Sequence, residues 1–457
     1  MHIHSAYGCK IKHYNKCLQD TISIYRKAVD FLIDVCIREW SGIEAIKGDK
    51  ARQRYVETLV HATSKRDAVP YDFDRYFYKY PCYLLRSTIT EAIGKVSSYM
   101  NNLANWENAD PAVRGKAPSQ PKAGYVYPCM YQGNMYSETE DPYVVQIKVF
   151  IRNTWDWLTV SLKKSDRDYI LRHCSRIERD ENNSQAALQS RRICNPTLQK
   201  RGKEWFLDFP VEETVKLTDT DIKEQTVIAV DLGINNACTL SVMHSDGTIV
   251  GREFLGLPSE TDSLEHAIKR IKKAQQHGNR KTPRLWAKAN GINDRIAVLT
   301  AQFIMEKAVQ YNTDVIVFEH LDRKGKIHGS KKQKLHMWRS RYVQEMVTNK
   351  AHRLGMRISH ICAWGTSKLA YDGSGTVQRG RDAGFKSYSV CSFANGKIYN
   401  CDLSASYNIG ARYFVRELTK SLPETARLQL QAKVPEACKR STCTLSTLIN
   451  LNAVLAA

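Results

Sequence analysis

The 457-residue chain has no long apolar run. Its most apolar stretches, such as Val227–Val230 and Val315–Phe318, fall far short of the roughly 18–20 residues that cross a bilayer, so no membrane partner is expected. The N-terminus MHIHSAYGCK has no basic segment followed by an apolar one, and no signal peptide is expected. The thirteen cysteines are odd in number and scattered, and no two form a CxxC pair. Small secreted scaffolds space their cysteines densely and evenly, so this usage points to a reducing cytoplasm. No repeat of 20–50 residues is visible, which excludes a solenoid. Acids are also scarce, with 47 Asp and Glu against 68 Lys and Arg, a net charge of +21. Such an excess points to a polyanion, nucleic acid first, with a merely solvated basic surface as the plainer alternative. The apolar share of 42% is ordinary, so wholesale disorder is excluded.

What is present falls into two halves. Residues 1–14 read as a short strand. From Lys16 a helical period carries Leu18, Ile22, Tyr25, Val29, Leu32 and Val35, and a second helical stretch runs over about Asp72–Trp106. Residues 111–124 hold Pro111, Gly115, Pro118, Pro121 and Gly124 and read as a linker. Residues 125–218 read as strands, including Val144–Arg152 and Trp155–Leu162 around an Asn153-Thr154 turn. After a charged boundary at about Asp219–Gln225 the pattern becomes specific. Thr226–Val230 is an apolar strand leading into Asp231. Ala237–Met243 and Thr248–Leu255 flank the turn His244-Ser245-Asp246-Gly247. A basic helical region covers about Asp262–Gln310, broken around Gly278–Pro283. Asp314–Phe318 leads into Glu319, Lys334–Leu354 is a helix, Met356–Ile361 a strand, and Leu403–Leu418 a helix with Asp402 at its start. The order β-β-β-α-β-α-β-α is that of an α/β RNase H-like domain. The tail from about Thr419 turns apolar near Leu445–Leu455, and no role is read for it.

Three acids carry the chemistry. In an RNase H-like sheet the strands ending at Asp231 and Glu319 lie side by side, so both carboxylates face the crevice where α/β sheets bind ligands. Asp402, opening the last helix, is brought to the same place. Carboxylates held close repel and favour a cation. Mg²⁺ takes oxygen ligands and keeps waters, and two such ions about 4 Å apart suit phosphodiester hydrolysis. Each acid has a plainer role as well: Asp231 as a turn cap, Glu319 as a surface acid, Asp402 as a helix N-cap. An apolar strand running into Asp231-Leu232-Gly233 also opens actin-like and sugar-kinase ATPases, and Asp372-Gly373-Ser374-Gly375-Thr376 is similar to a second phosphate loop in that rival class.

The segments VIAVDLGINNACTLSV, DVIVFEHLD, MWRSRYVQEMVTNKAHRLGMRISHICAWGTSK and NCDLSASYNIGARY resemble the RuvC motifs of transposon-encoded TnpB proteins and compact type V CRISPR effectors, over about residues 225–416. The resemblance implies an RNA-guided DNA endonuclease with Asp231, Glu319 and Asp402 as the catalytic, metal-binding triad for two Mg²⁺ ions, with Mn²⁺ as a substitute. It implies guide RNA, target double-stranded DNA and its displaced strand as partners, in the prokaryotic cytosol and at the nucleoid when bound to DNA. The implied architecture is a wedge-like β-barrel (1–14 and 125–218), a helical recognition insert (15–110), the linker 111–124, a RuvC nuclease domain (219–361 and 399–418), a degenerate zinc-finger-like insert (362–398) and the tail 419–457. The family usually carries four zinc-ligating cysteines in that insert. Here Ala370, Gly373 and Ala394 stand where three of them belong and Cys391 remains, so zinc is not expected. A guided DNA-binding protein that represses without cutting is the second reading.

The positive charge is concentrated. Between Leu264 and Asn290 there are eight basic residues and one acid, and between Arg323 and Arg357 eleven and one. Solvated helices mix signs, so these runs argue for phosphate contact. The residues assigned to nucleic acid are Lys269, Arg270, Lys272, Lys273, Arg280, Arg284, Lys331, Lys332, Lys334, Trp338, Arg339, Arg341 and Lys368. Trp338 is read equally as a stacking platform or a core residue. The stretch Tyr71–Tyr83 is read as a packed bundle or as a contact with the duplex. DNA binding by the full chain is therefore expected to fall steeply with salt. The log of the binding constant should decline linearly with log salt concentration in fluorescence-anisotropy titrations, and a flat line would remove phosphate contact as the purpose of these runs.

Overall fold

A computed structural model of the chain describes residues 1–13, 16–112, 114–174, 190–233, 236–279, 281–321, 338–420, 422–439 and 441–456. It is mixed α/β and divides into two compact units, His2–Thr214 and Met1 with Val215–Ala457. The first unit holds β1 (His2–Lys10), α1 (Lys16–Arg38), α2 (Trp40–Ala45), α3 (Asp49–Val60), α4 (Phe73–Tyr76), α5 (Cys82–Glu107), β2 (Tyr136–Glu138), β3 (Val144–Ile151), β4 (Thr154–Ser161), α6 (Lys164–His173), β5 (Ser190–Ile193), β6 (Thr197–Arg201) and β7 (Glu204–Thr214).

In this unit β7 pairs with β1, β5 and β6, and β2, β3 and β4 form a second antiparallel sheet. A bridge between Ile11 and Leu162 joins the ends of β1 and β4. The helical period of α1 buries Leu18, Ile22, Tyr25, Val29, Leu32 and Ile33 in the same core as Leu84, Leu85, Ile89 and Val96 of α5. Two local details differ from the sequence pattern. The helical stretch expected over Asp72–Trp106 is two helices, because Pro81 has no N–H to give and disfavours helix in the residue before it. The hairpin turn is Arg152-Asn153, one residue earlier than expected. Both residues have positive φ, 49° and 63°, as a two-residue turn between twisted strands requires. The aromatic stretch divides. Phe73 and Phe77 stack in the core at 4.5 Å, while Tyr76, Tyr78 and Tyr83 are exposed.

The second unit is built on one five-stranded sheet. Its elements are β8 (Val227–Asp231), β9 (Cys238–Met243), β10 (Ile249–Leu255), α7 (Pro258–Gln276), α8 (Pro283–Gln310), β11 (Val315–His320), α9 (Ser340–Arg353), β12 (Arg357–Cys362), β13 (Gln378–Arg379), β14 (Val390–Ser392), β15 (Ile398–Asn400), α10 (Cys401–Lys420), α11 (Glu424–Lys433) and α12 (Leu445–Ala456). The strand order is β10-β9-β8-β11-β12. The first three strands are antiparallel to one another, and β11 runs parallel to both β8 and β12. Strand side chains alternate between faces, and here both faces are covered. Val227 and Ala229 of β8 and Val315 and Val317 of β11 pack with Tyr407, Ile409, Phe414 and Leu448 of α10 and α12. Ile228, Val230, Ile316 and Phe318 pack with Ala301 and Ile304 of α8 and Val343 and Val347 of α9. That double burial is why these strands read as continuous apolar runs rather than alternating ones.

Between β12 and α10 the insert forms a small sheet in the order β13-β14-β15. Its core is Ala370, Val377, Cys391, Phe393 and Cys401, with Tyr371 and Tyr399 against it. Tyr371 meets Phe393, Tyr399 and Tyr407 with ring centroids 5.6, 5.0 and 5.2 Å apart. Two of the positions considered for zinc, Ala370 and Cys391, are thus interior residues of an aromatic cluster. No helix among the described residues is long and apolar enough to cross a membrane.

Gly410 lets α10 lie close on the sheet. A Cβ there would stand 2.5 Å from Met243 Sδ and 3.2 Å from Ala229 Cβ. Gly291 of α8 has nothing within 4 Å of its Cβ position. Denaturant unfolding is expected to show Gly410→Val destabilising the chain by about 1–3 kcal/mol, and Gly291→Ala stabilising it by about 0.5–1 kcal/mol.

Candidate active site

The parallel register sets Phe318 opposite Val230, so Asp231 and Glu319 follow at the same level on neighbouring strands, both at carboxyl ends. Asp402 lies in the first turn of α10. All three side chains are half-buried, and the charges of both Glu319 and Asp402 act on Asp231. Burial first, then these two neighbours, holds the Asp231 carboxyl well above the usual carboxylate range, and the Arg379 guanidinium only partly offsets them. Burial raises Glu319 as well, against the Thr366 hydroxyl that donates to it and the charge of Arg412.

The surrounding backbone fixes these groups. A Cβ on Gly233 would fall 2.5 Å from the Asn236 carbonyl oxygen, so the chain folds back directly after Asp231. Asn236 returns to donate from Nδ2 to Asp402 Oδ2 at 2.9 Å. Gln344 Nε2 donates to the Glu319 carbonyl at 3.0 Å. Beside Asp402, Arg379 Nη1 donates to Cys401 Sγ at 3.3 Å. The Cys391 thiol and that guanidinium pull the Cys401 thiol down to about 7. Asn236, Thr366, Arg379 and Arg412 were not singled out from the sequence. All but Arg379 stand inside the motif segments, Asn236 and Arg412 in those that carry Asp231 and Asp402 and Thr366 in one that carries none of the three acids, which marks the positions but not their partners.

Among the described residues, no three His, Cys, Asp or Glu side chains stand close enough to hold one ion among them. The donor set nevertheless fits hard divalent cations held pairwise. Mg²⁺ prefers carboxylate oxygens, keeps several waters and needs only one or two carboxylates. A cation between these acids also relieves the repulsion that raises Asp231.

Lys269, Arg270, Lys272 and Lys273 are exposed on α7, Arg284 is exposed on α8, and Lys368 is exposed in the turn after β12. Arg339 pairs with Asp294 at 2.9 Å, and Arg341 donates to the Leu321 carbonyl. Trp338 packs partly into the core under α8 and α9 and lines a cavity with Leu232, Gly233 and Leu264. Arg280, Lys331, Lys332 and Lys334 lie outside the described residues.

The profile of the Aq_aa04 family matches residues 5–151. The uncharacterized protein aq_aa04 of Aquifex aeolicus (strain VF5) is 30% identical over 30% of this chain and 83% of its own length. The TnpB-like protein aq_aa05 of the same organism is 27% identical over 46% of this chain and 74% of its own length. The chain belongs to the Aq_aa04 family. Among solved structures, the chain is similar to that of a Cas12f1–sgRNA–target DNA complex, at 13% identity, TM-score 0.33, and 89% and 98% coverage of the two chains. It is also similar to AacC2c1 in a binary complex with sgRNA, at 9% identity, TM-score 0.39, and 85% and 65% coverage.

The raised Asp231 carboxyl makes the metal-free fold sensitive to pH. A folded pKa above the unfolded one means that the fold favours the proton. Its stabilising effect is present in acid and is lost as pH rises through the raised value. Metal-free Asp231→Asn, which cannot acquire the charge, is expected to melt higher than the parent, by a margin that widens from about pH 4 to pH 8. A margin that does not change with pH would contradict the assignment.

Proposed function

We propose that this chain is an RNA-guided DNA endonuclease whose catalytic groups are Asp231, Glu319 and Asp402. The observation that carries the reading is the pairing of Asp231 and Glu319 at the carboxyl ends of two parallel strands with Asp402 acting on them from a helix start, where burial first and then the two neighbouring charges hold Asp231 above its ordinary range. A structural acid cluster has no use for such repulsion, whereas a cation site does. Kinship with a protein named TnpB-like supports the substrate class.

In this reading the second unit is an RNase H-like RuvC domain, and residues 1–14 and 125–218 are a wedge-like barrel carrying the helical recognition insert 15–110. The insert 362–398 helps to load the DNA strand. Base pairing with a guide RNA supplies sequence specificity, and the protein holds the hybrid by its backbone. Phosphates approach along the exposed basic face of α7. A groove beside Glu319, lined by His320, Arg341, Gln344, Asn349 and His360 together with the acid Glu345, offers polar groups for the strand to be cut. Asp231, Glu319 and Asp402 would hold two Mg²⁺ ions, whose chemistry when bound would be activation of a water and stabilisation of the leaving oxygen in phosphodiester hydrolysis. The chain's own residues do the rest: Asn236 orients Asp402, Thr366 orients Glu319, and half-burial limits competing water. The protein acts in the prokaryotic cytosol.

The ATPase alternative is not favoured by the Asp372–Thr376 loop. The Ser374 amide and hydroxyl both donate to Asp372 Oδ1, at 3.0 and 2.6 Å, so a carboxylate already takes the donors a phosphate would need. The test is plasmid cleavage by the full chain purified with co-expressed flanking RNA, in Mg²⁺. The parent is expected to cut guided targets, and Asp231→Ala to lose at least about 10³-fold of that rate. Equal cutting by the variant removes the site assignment. Guided binding with no cutting by either protein moves the conclusion to a repressor.

A further inference from the structure

Thr366 and Arg412 stand behind Glu319 in an arrangement that the acids alone do not call for. Thr366 is 3% exposed and Arg412 4%. The Thr366 hydroxyl lies near two acceptors, the Glu319 carboxylate and, at 3.0 Å, the Ala363 carbonyl. With one proton to give, it donates to the charged and nearer acceptor.

What holds Thr366 there is a clamp. The Arg412 guanidinium, on α10, donates to four backbone carbonyls: Cys362 and Trp364 at 2.7 and 2.8 Å, and Ser441 and Cys443 at 2.7 and 3.1 Å. Four of its five N–H donors thus join these two stretches of backbone. Gly365, at φ +75°, brings the first stretch onto the second. A Cβ there would lie 3.3 Å from the Ser441 carbonyl oxygen. One turn earlier in α10, Asn408 Nδ2 donates to the Thr366 and Leu369 carbonyls at 3.0 and 2.8 Å, while its Oδ1 accepts from the Leu445 amide at 3.3 Å. The turn that presents Thr366 is therefore held by two polar side chains of α10, each of which also grips the segment leading into α12. That segment is locked down by Leu445, Leu448 and Leu451 in the core.

We propose that Thr366 and Arg412 are positioning residues for Glu319, with Arg412 clamping the 362–366 turn onto residues 441–443 so that the Thr366 hydroxyl fixes the carboxylate in its cation-binding orientation. The proposal rests on the metal-site reading of Glu319 and assigns the C-terminal segment a part in that site. Neither residue touches substrate. Groups that orient a metal ligand this way are worth about 10–100-fold in metal affinity when removed. Lysine cannot stand in for the clamp, because one ammonium lacks the planar fork that reaches four carbonyls.

The test is Mn²⁺ binding by the full chain, read from the electron paramagnetic resonance signal of free Mn²⁺, with a thermal melt of each metal-free variant. Thr366→Val is expected to weaken Mn²⁺ binding about tenfold while melting close to the parent. Thr366→Ser, which keeps the hydroxyl, is expected to restore binding to within about twofold of the parent. Thr366→Val binding as the parent does, or Thr366→Ser binding as poorly as Thr366→Val, overturns the role of Thr366. Arg412→Lys is expected to weaken binding in the same direction, and a folded Arg412→Lys chain with parental affinity overturns the clamp. Glu319→Gln separates the two levels. If it binds Mn²⁺ as the parent does, the metal-site reading itself falls and the proposal with it. If it does not and Thr366→Val is neutral, only the proposal falls.

Discussion

Four ladder positions join β8 to β11, from Val227 opposite Val315 to Val230 opposite Phe318, and all of these side chains are buried. The pairing fixes the level of the next residue on each strand, and those residues are Asp231 and Glu319. A slip of one residue would turn every apolar side chain to the other face of the sheet. With helices covering both faces, neither strand can shift without exposing or overpacking a core. The two acids are thus forced into proximity by hydrophobic packing, which gains far more free energy than their repulsion costs. The cost remains visible in the raised Asp231 carboxyl.

The third acid arrives by another route. Asp402 is carried by α10, and α10 is placed by its own burial, with Gly410 allowing it to sit against Met243 and Ala229. A helix and a strand pair therefore reach one point by independent packing. The polar contacts at that point, Asn236 to Asp402 and Thr366 to Glu319, orient groups that packing has already delivered. This division of labour matches what a cation site needs, a rigid frame for distance and hydrogen bonds for direction.

The sheet and its acids were legible in the sequence because their signals are local. Val227–Val230 and Val315–Phe318 are short, continuous apolar runs, each followed at once by an acid, and a strand buried on both faces leaves no other pattern. The Asp246-Gly247 turn was legible for the same reason. The break at Pro81 was readable in principle, yet the aromatic period on either side of it outweighed the proline. The Arg152-Asn153 turn was missed by one residue because Arg with positive φ is not an expected turn residue. Arg412 was not legible at all. Its four partners are backbone carbonyls at positions 362, 364, 441 and 443, and carbonyls carry no side-chain signature. The tail was illegible for a related reason, since the apolar face of α12 means little until α10 is placed beneath it.

The order in which these parts occur along the chain bears on how the protein is made. β8 must wait for β11, since parallel partners cannot close as a hairpin, and one face of both strands stays bare until α10 and α12 have been synthesised. Domains fold as units and long-range pairing is slow, so a nascent chain that has passed β12 holds a half-covered sheet with Asp402 not yet beside Asp231. The carboxylate site comes into being only once α10 has been synthesised. A chain stopped before α10 carries the basic helices α7 and α8 without the three acids assembled.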